Sequence, residues 1–299
     1  MTKFVLIGHV DHGKSTLAGR ILCDTGYVSE RDINKLQKQA NENKMSSWWL
    51  SYALDTDEDE RLKGKTHQFN KIDFNYNNKD YTIIDVPGHK QLVSEMIYGC
   101  SEAEIAIIVI SARLGEFKQG LSGQTMEHIM ITRGMGINSV IVAVNKMDTI
   151  EWDETIFNNI KSKMEITLKK LRFKNIDFIP ISALEGKNID KLFTSINNIE
   201  KIKINNKLLP IKNNIIPVQV IINNIDSIIT TGYKLIIHSK DKLYTGQIIK
   251  IKDKPFIKNG NDVNLILIKL DTEEENIYSN LILRDGDKTI GYGKIYIKK

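Results

Sequence analysis

The sequence predicts an α/β domain, with a doubly wound and mostly parallel sheet, followed by one small antiparallel β-barrel. Three observations carry that prediction. Up to about Lys201, short apolar runs alternate with longer stretches of helical period. Beyond Pro217 the helical period disappears and β-branched runs follow, broken by turn residues. Between the first run and the first helix lies a glycine-rich turn of the kind that opens a phosphate site.

The strands of the first part are expected at Phe4–Gly8, Lys71–Asn75, Tyr81–Asp85, Ile105–Ser111, Ser139–Asn145 and Phe178–Ser182. Helices are expected at Lys14–Cys23, Lys90–Gly99, Gln124–Gly134, Glu154–Leu171 and Ile189–Ile199. Strands apolar on both faces and separated by helices of this length form βαβ units, whose parallel sheet is covered on both sides. The stretch Lys201–Asn214, rich in Asn and Lys and holding Pro210, reads as a linker. Six barrel strands are then expected at Val218–Ile222, Tyr233–His238, Tyr244–Ile251, Val263–Leu270, Asn280–Leu283 and Thr289–Ile297. Gly232, Gly246, Asn259-Gly260 and Asp285-Gly286 punctuate them. The expected division is a first domain over 1–203, a linker over 204–216 and a barrel over 217–299.

Composition narrows the class. A chain of 299 residues with 41% hydrophobic and 26% charged residues has ample material for a core and is not of disordered type. Its longest clean apolar stretch, Ile105–Ile110, is far short of the roughly 20 residues of a membrane span, and no signal peptide is recognised at the N-terminus. Cys23 and Cys100 sit in apolar surroundings without CxxC or His spacing, and read as buried thiols of a reducing compartment. A cytoplasmic location without membrane contact is the expectation. The net charge of +5 is uneven: residues 206–299 hold fifteen basic and ten acidic side chains, which accounts for the whole excess. That is either a solvated lysine face or a surface for RNA or an acidic partner.

The strongest local signal is Gly8-His9-Val10-Asp11-His12-Gly13-Lys14-Ser15-Thr16, which fits G-x-x-x-x-G-K-[ST] between a strand and a helix. Glycines let the backbone wrap around phosphate oxygens, and the N–H groups of the loop and helix start supply positive potential. Lys14 is expected to reach the β- and γ-phosphates, and the Ser15 hydroxyl to ligate Mg²⁺. Three further segments end apolar strands, where open α/β sheets place ligands. Asp85-Val86-Pro87-Gly88-His89 supplies Asp85 to hold Mg²⁺ through water and a Gly88 N–H for the γ-phosphate. Asn145-Lys146-Met147-Asp148 supplies an acceptor, Asp148, for the two guanine donors. Asn145 can tie this loop to the phosphate loop, and the Lys146 stem can cover the purine face. Ser182-Ala183-Leu184 can offer a backbone N–H to guanine O6. By itself Asn-Lys-x-Asp also fits an ordinary strand-end turn; the four segments together, in one workable order, describe a site for GTP or GDP with Mg²⁺.

These segments resemble the translational GTPases of the elongation factor Tu and eukaryotic elongation-factor group. Within that group, Ser47-Trp48-Trp49-Leu50-Ser51-Tyr52-Ala53-Leu54-Asp55-Thr56, Glu60-Arg61 and Gly64-Lys65-Thr66 resemble most closely the GTPase subunits of eukaryotic peptide-chain release factors. The resemblance implies a GTP-hydrolysing translation factor, with Thr66 closing on Mg²⁺ and the γ-phosphate, and His89 orienting the attacking water. It implies the ribosome as partner, together with a release-factor or rescue-factor protein docked on the terminal barrel. Such GTPases normally carry two barrels, whereas this sequence has room for one. Ser227–Tyr233, His238, Leu283-Arg284-Asp285 and Thr289–Ile295 resemble the third domain, so the middle barrel is expected to be missing. Lys65 replaces the apolar residue usual before the switch threonine. No arginine finger is identified, so hydrolysis is expected to be slow without an activating partner. Two other functions fit the same motifs: an aminoacyl-tRNA carrier, and a GTP-loaded binding module with little turnover.

Overall fold

The computed structural model describes residues 1–42, 49–50, 70–86, 93–117, 123–201, 204, 206–260 and 262–297. The chain forms two compact units: Met1–His128 with Asn138–Ile202, and Ile129–Ile137 with Lys203–Lys299.

The first unit contains β1 (Thr2–Ile7), α1 (Lys14–Asp24), α2 (Glu30–Glu42), β2 (Asn70–Tyr76), β3 (Lys79–Asp85) and α3 (Val93–Glu102). These are followed by β4 (Ile105–Ser111), α4 (Gln124–Gly134), β5 (Ser139–Asn145), α5 (Glu154–Lys170), β6 (Asn175–Pro180) and α6 (Ile189–Asn198). The α4 segment runs from the first unit into the second. The sheet order is β2-β3-β1-β4-β5-β6. Only β2–β3 is antiparallel, turning through Asn77 and Asn78 at φ 50° and 60°, the backbone a tight hairpin requires. The other pairs are parallel, with Leu6 opposite Asp85 and Ser111 opposite Asn145. The strand tips bearing the motif residues are therefore neighbours on one edge, around the point where the chain leaves β1 on one side for β3 and on the other for β4. Every residue of β4 and β5 is buried, as their apolar sequences require. Leu17, Ala18, Ile21 and Leu22 of α1 and Leu192, Phe193 and Ile196 of α6 pack into the same core.

The expected elements are present, with shifted ends. The last strand is Asn175–Pro180 rather than Phe178–Ser182: Ser182 makes only an isolated bridge with Lys187. β6 is the sheet's edge strand, and it ends at a proline, which has no N–H to extend a ladder. The helix expected at Lys90–Gly99 is α3, and residues 90–92 lie outside the described residues. α2 was not anticipated. Its N-terminus is capped by Ser29, whose hydroxyl accepts from Asp32 N at 3.2 Å and donates to the Asp32 carboxylate at 2.6 Å. Its sparse apolar face, Leu36 and Ala40, packs with Val28 and Trp49. Trp49 thus has a packing role, while Trp48 lies outside the described residues.

The second unit is a closed barrel of β8 (Ile215–Ile222), β9 (Lys234–Ser239), β10 (Lys242–Ile251), β11 (Asn264–Leu270), β13 (Asn280–Asp285) and β14 (Lys288–Ile295). Alternate side chains, among them Val218, Val220, Leu235, Ile237, Ile266, Ile268, Leu281 and Leu283, fill its interior. A small sheet of β7 (Leu208–Pro210) and β12 (Asn276–Tyr278) accompanies it. β7 and the start of β8 fall within the stretch expected as linker, which carries more regular structure than its Asn- and Lys-rich composition suggested. Cys100 is buried, whereas Cys23 is half-buried rather than buried; neither is in a disulfide among the described residues. Among the described residues no helix is long and apolar enough to cross a membrane.

Candidate nucleotide-binding site

The phosphate loop starts where β1 ends. Gly8 takes φ 144°, and a Cβ there would stand 2.3 Å from the Val109 carbonyl oxygen of β4, so only glycine lets the chain cross so close. Val10–His12 form a short 3₁₀ turn, with the His9 ring accepting from Asp11 N at 3.4 Å. Gly13 then takes the left-handed conformation at φ 87° and α1 begins at Lys14. The N-terminus of α1 thus opens directly from the loop, and Ser15 and Thr16 stand on the helix's first turn.

Three buried cationic or titratable side chains underlie this loop. Lys14 donates from Nζ to Gly8 O at 3.1 Å and His9 O at 3.0 Å. Burial pulls its ammonium down to about 8, against the raising influence of Asp85 and Asp11. The His12 ring Nδ1 pairs with Val109 O at 3.1 Å, which assigns the proton to that nitrogen; burial lowers its pKa to about 4. His128 of α4 is also buried against the loop. Burial lowers it to about 3, with the Lys14 charge adding to the shift and a hydrogen bond to the Gly8 backbone opposing it. Nothing in the sequence singled out His128, because its place under Gly8 comes from helix packing.

Asp85 is buried at the tip of β3. Its oxygen donors and the Ser15 hydroxyl are the hard ligands that Mg²⁺ takes. Among the described residues, no group of three or more His, Cys, Asp or Glu could hold a metal ion. Two such donors, Asp85 and Ser15, fit an ion that completes its coordination with phosphate oxygens and water. Thr66, Gly88 and His89 lie outside the described residues.

At the opposite end, Asn145 joins the motifs. Its Nδ2 donates to His12 O at 3.0 Å, and its Oδ1 accepts from Ala183 N at 2.9 Å. Met147 N also donates to Ile181 O at 3.2 Å. Lys146 takes a left-handed conformation, φ 62°, and its Nζ pairs with Glu116 Oε2 at 2.8 Å, which directs its stem. Burial works to raise the Glu116 carboxyl, but hydrogen bonds from Lys146 and Ser111 outweigh it and hold the pKa below its usual value. Asp148 is half-buried in the 3₁₀ turn Met147–Ile150. In the Ser182–Leu184 loop, the Ala183 N–H is taken by Asn145, so this loop's offer to a base is narrower than the sequence suggested. Two residues that sequence reasoning missed serve this end of the site. Glu116 holds Lys146, and Arg20 of α1 donates to the carbonyls of Ala183, at 3.0 Å, and Leu184.

A lysine-bearing phosphate loop at the switch point of a mostly parallel sheet, followed by a closed β-barrel, defines a P-loop GTPase fold with a single C-terminal barrel. Residues 1–202 match the model of the elongation factor Tu GTP binding domain, and the chain belongs to that family. It is 41% identical over 201 residues to the eukaryotic peptide chain release factor GTP-binding subunit of Schizosaccharomyces pombe, covering 64% of this chain and 30% of that protein. It is 42% identical over 188 residues to elongation factor 1-alpha of Caldivirga maquilingensis, covering 62% of this chain and 42% of that protein. The chain therefore spans less than half the length of these relatives. Among solved structures, the Saccharomyces cerevisiae Ski7 GTPase-like domain bound to GTP superposes with a TM-score of 0.80 at 15% identity, over 99% of this chain and 97% of that one. Bacterial selenocysteine-specific elongation factor superposes with a TM-score of 0.66 at 18% identity, over 99% and 58% of the two chains. At those identities the likeness is one of fold.

Proposed function

We propose that this protein binds GTP with Mg²⁺, hydrolyses it to GDP and phosphate, and acts as a release-factor-like switch in translation. The observation that carries the reading is Asn145, whose amide links the phosphate loop to the Ser182–Leu184 loop while its own loop bears Lys146 and Asp148. A phosphate cradle and a base-reading loop held in one rigid unit are what a purine nucleoside triphosphate requires.

The P-loop amides and Lys14 bind the β- and γ-phosphates and offset the negative charge that grows on the transferring group. Lys14 would exchange the carbonyls of Gly8 and His9 for phosphate oxygens, which suits a buried ammonium poorly served by neutral acceptors. Asp148 accepts from guanine N1–H and the 2-amino group, and adenine offers no such pair. Ser15 and Thr66, with Asp85 through water, would hold Mg²⁺, which supplies further neutralisation of the phosphate charge when bound. His89 orients the water that attacks the γ-phosphorus. Loss of the γ-phosphate would release the Thr66 and Gly88 segments and convert hydrolysis into an order–disorder switch.

The barrel, read as the third domain of such factors, would dock a release-factor or rescue-factor protein and contact RNA through its lysines. The site of action would be the ribosome in the cytoplasm. The similar identity to an elongation factor 1-alpha supports a second reading as an aminoacyl-tRNA carrier. One assay separates them: GTP turnover with and without ribosomes plus a release-factor-type protein, beside GTP-dependent protection of aminoacyl-tRNA from deacylation. Stimulated turnover without protection supports the first reading. Protection without stimulation supports the second. Tight GTP binding with neither describes a nucleotide-loaded module.

A further inference from the structure

We infer that Arg20 is a positioning residue for base selection: by holding the Ala183 carbonyl, it aims the Leu184 N–H at the 6-oxo group of the purine. The inference rests on the guanine-binding reading above. Arg20 lies on α1, six residues after the phosphate-loop lysine, in a region where a P-loop motif assigns no base-reading role.

Its guanidinium is held on several sides. Nε donates to Ala183 O at 3.0 Å, Nη2 donates to Leu184 O, and Nη1 donates to Asp24 Oδ1 at 3.3 Å. The Trp49 ring lies 5.7 Å from the guanidinium carbon. The planar fork, so clamped, binds two successive carbonyls as a single-point lysine would not.

A trans peptide points its C=O and N–H in opposite directions. With Ala183 O drawn onto Arg20, the N–H of the same peptide, that of Leu184, faces away from α1. The neighbouring donors of the loop are occupied: Ser182 N bonds Lys187 O at 3.3 Å, Ala183 N bonds Asn145 Oδ1 at 2.9 Å, and Glu185 N bonds Ser182 Oγ at 3.2 Å. Among the described residues, the Leu184 N–H has no acceptor. A hydrogen-bond donor aimed this way accepts a 6-oxo purine and rejects a 6-amino purine, which brings a second donor to the same place. Arg20 also draws both loop carbonyls, which would repel a 6-oxo oxygen, toward α1.

The test is competition of GDP, IDP and ADP against a fluorescent guanine nucleotide on the full chain, for wild type, Arg20→Ala and Arg20→Lys. IDP keeps the 6-oxo group and lacks the 2-amino group; ADP carries a 6-amino group. For Arg20→Ala the expected result is an equal fall of about tenfold in GDP and IDP affinity with ADP unchanged, the scale of one aimed hydrogen bond. Arg20→Lys should recover only part of that loss. An equal loss for all three nucleotides would make Arg20 a structural support only, and unchanged affinity for all three would remove its role altogether; either result overturns the inference. Should Arg20→Ala fail to fold, as read by urea unfolding, Arg20→Lys and Arg20→Gln carry the same comparison. If wild type itself prefers GDP no more than ADP, the guanine reading fails and the inference with it. If wild type prefers GDP and the variants keep that preference, only the inference falls.

Discussion

The Asn145 side-chain amide donates to the backbone carbonyl of His12 at 3.0 Å, joining positions 133 residues apart in the chain. With its oxygen taken by Ala183 N, this one amide ties the phosphate loop to the loop after β6. A side chain that both donates and accepts is needed, which restricts the position to Asn or a close analogue.

Asn145→Ala should therefore loosen both ends of the site at once. Leaving a buried carbonyl and a buried N–H without partners costs about 1–3 kcal/mol for each group. Urea unfolding of the nucleotide-free protein should show that loss, and calorimetry should show GDP affinity reduced by at least about tenfold. Asn145→Asp keeps the acceptor for Ala183 N but sets a buried carboxylate oxygen against the His12 carbonyl, so it should cost at least as much as Asn145→Ala.

Lys14 carries its charge in a buried place, with its pKa pulled down to about 8. Lys14→Met removes that charge and keeps the aliphatic stem. Ligand-free stability at pH 7 should be unchanged or higher, since a buried charge held by neutral carbonyls is costly. GTP binding should be lost by calorimetry. A large loss of stability in this variant would show that the ammonium supports the loop even without nucleotide.

Acid should destabilise both units through their histidines. His12 and His238 are lowered to about 4 and His128 to about 3, in each case chiefly by burial. As the pH falls below about 6.5, the unfolded chain takes up protons that the folded chain does not, so folding free energy is lost progressively down to about pH 4 for His12 and His238 and about pH 3 for His128. Stability thus rises with pH across that window and is fully present above it. Urea unfolding at pH 7.0, 5.5 and 4.5 checks this. His128→Gln should reduce the slope for the first unit and His238→Gln that for the second.

Asp148→Asn should weaken guanine preference, because one of the two acceptor oxygens becomes a donor facing the base's own donors. Affinity for GDP should fall by about tenfold or more, and a purine with a 2-oxo group should bind the variant relatively better. Competition assays with GDP and XDP measure both effects. Unchanged GDP binding would remove Asp148 from the base-reading set.

The fold class was legible because apolar runs with periods of two and 3.6 are direct consequences of burying strands and helices. β4 and β5 are apolar throughout and buried throughout, and the order of motifs at strand ends placed the candidate site along one sheet edge. Less was legible where burial is slight. α2 offers only Leu36 and Ala40 to a core. β7 finds its partner β12 more than sixty residues later, and no local pattern encodes that pairing.

By itself, the sequence determined the glycine-rich loop between β1 and α1, the Asn-Lys-x-Asp segment at the end of β5 and the two-part α/β-then-β architecture. Each depends on local chemistry: glycine's freedom at φ 87°, a lysine at a helix start, the alternation of apolar residues. Only the tertiary structure decided that Arg20 grips the loop carbonyls, that Glu116 holds Lys146, that His128 lies against Gly8 and that Asn145 uses the Ala183 N–H. Those are meetings between side chains and backbone from different strand and helix ends. Their partners are set by the register of parallel strands and the packing of helices on the sheet, which no local stretch of chain contains.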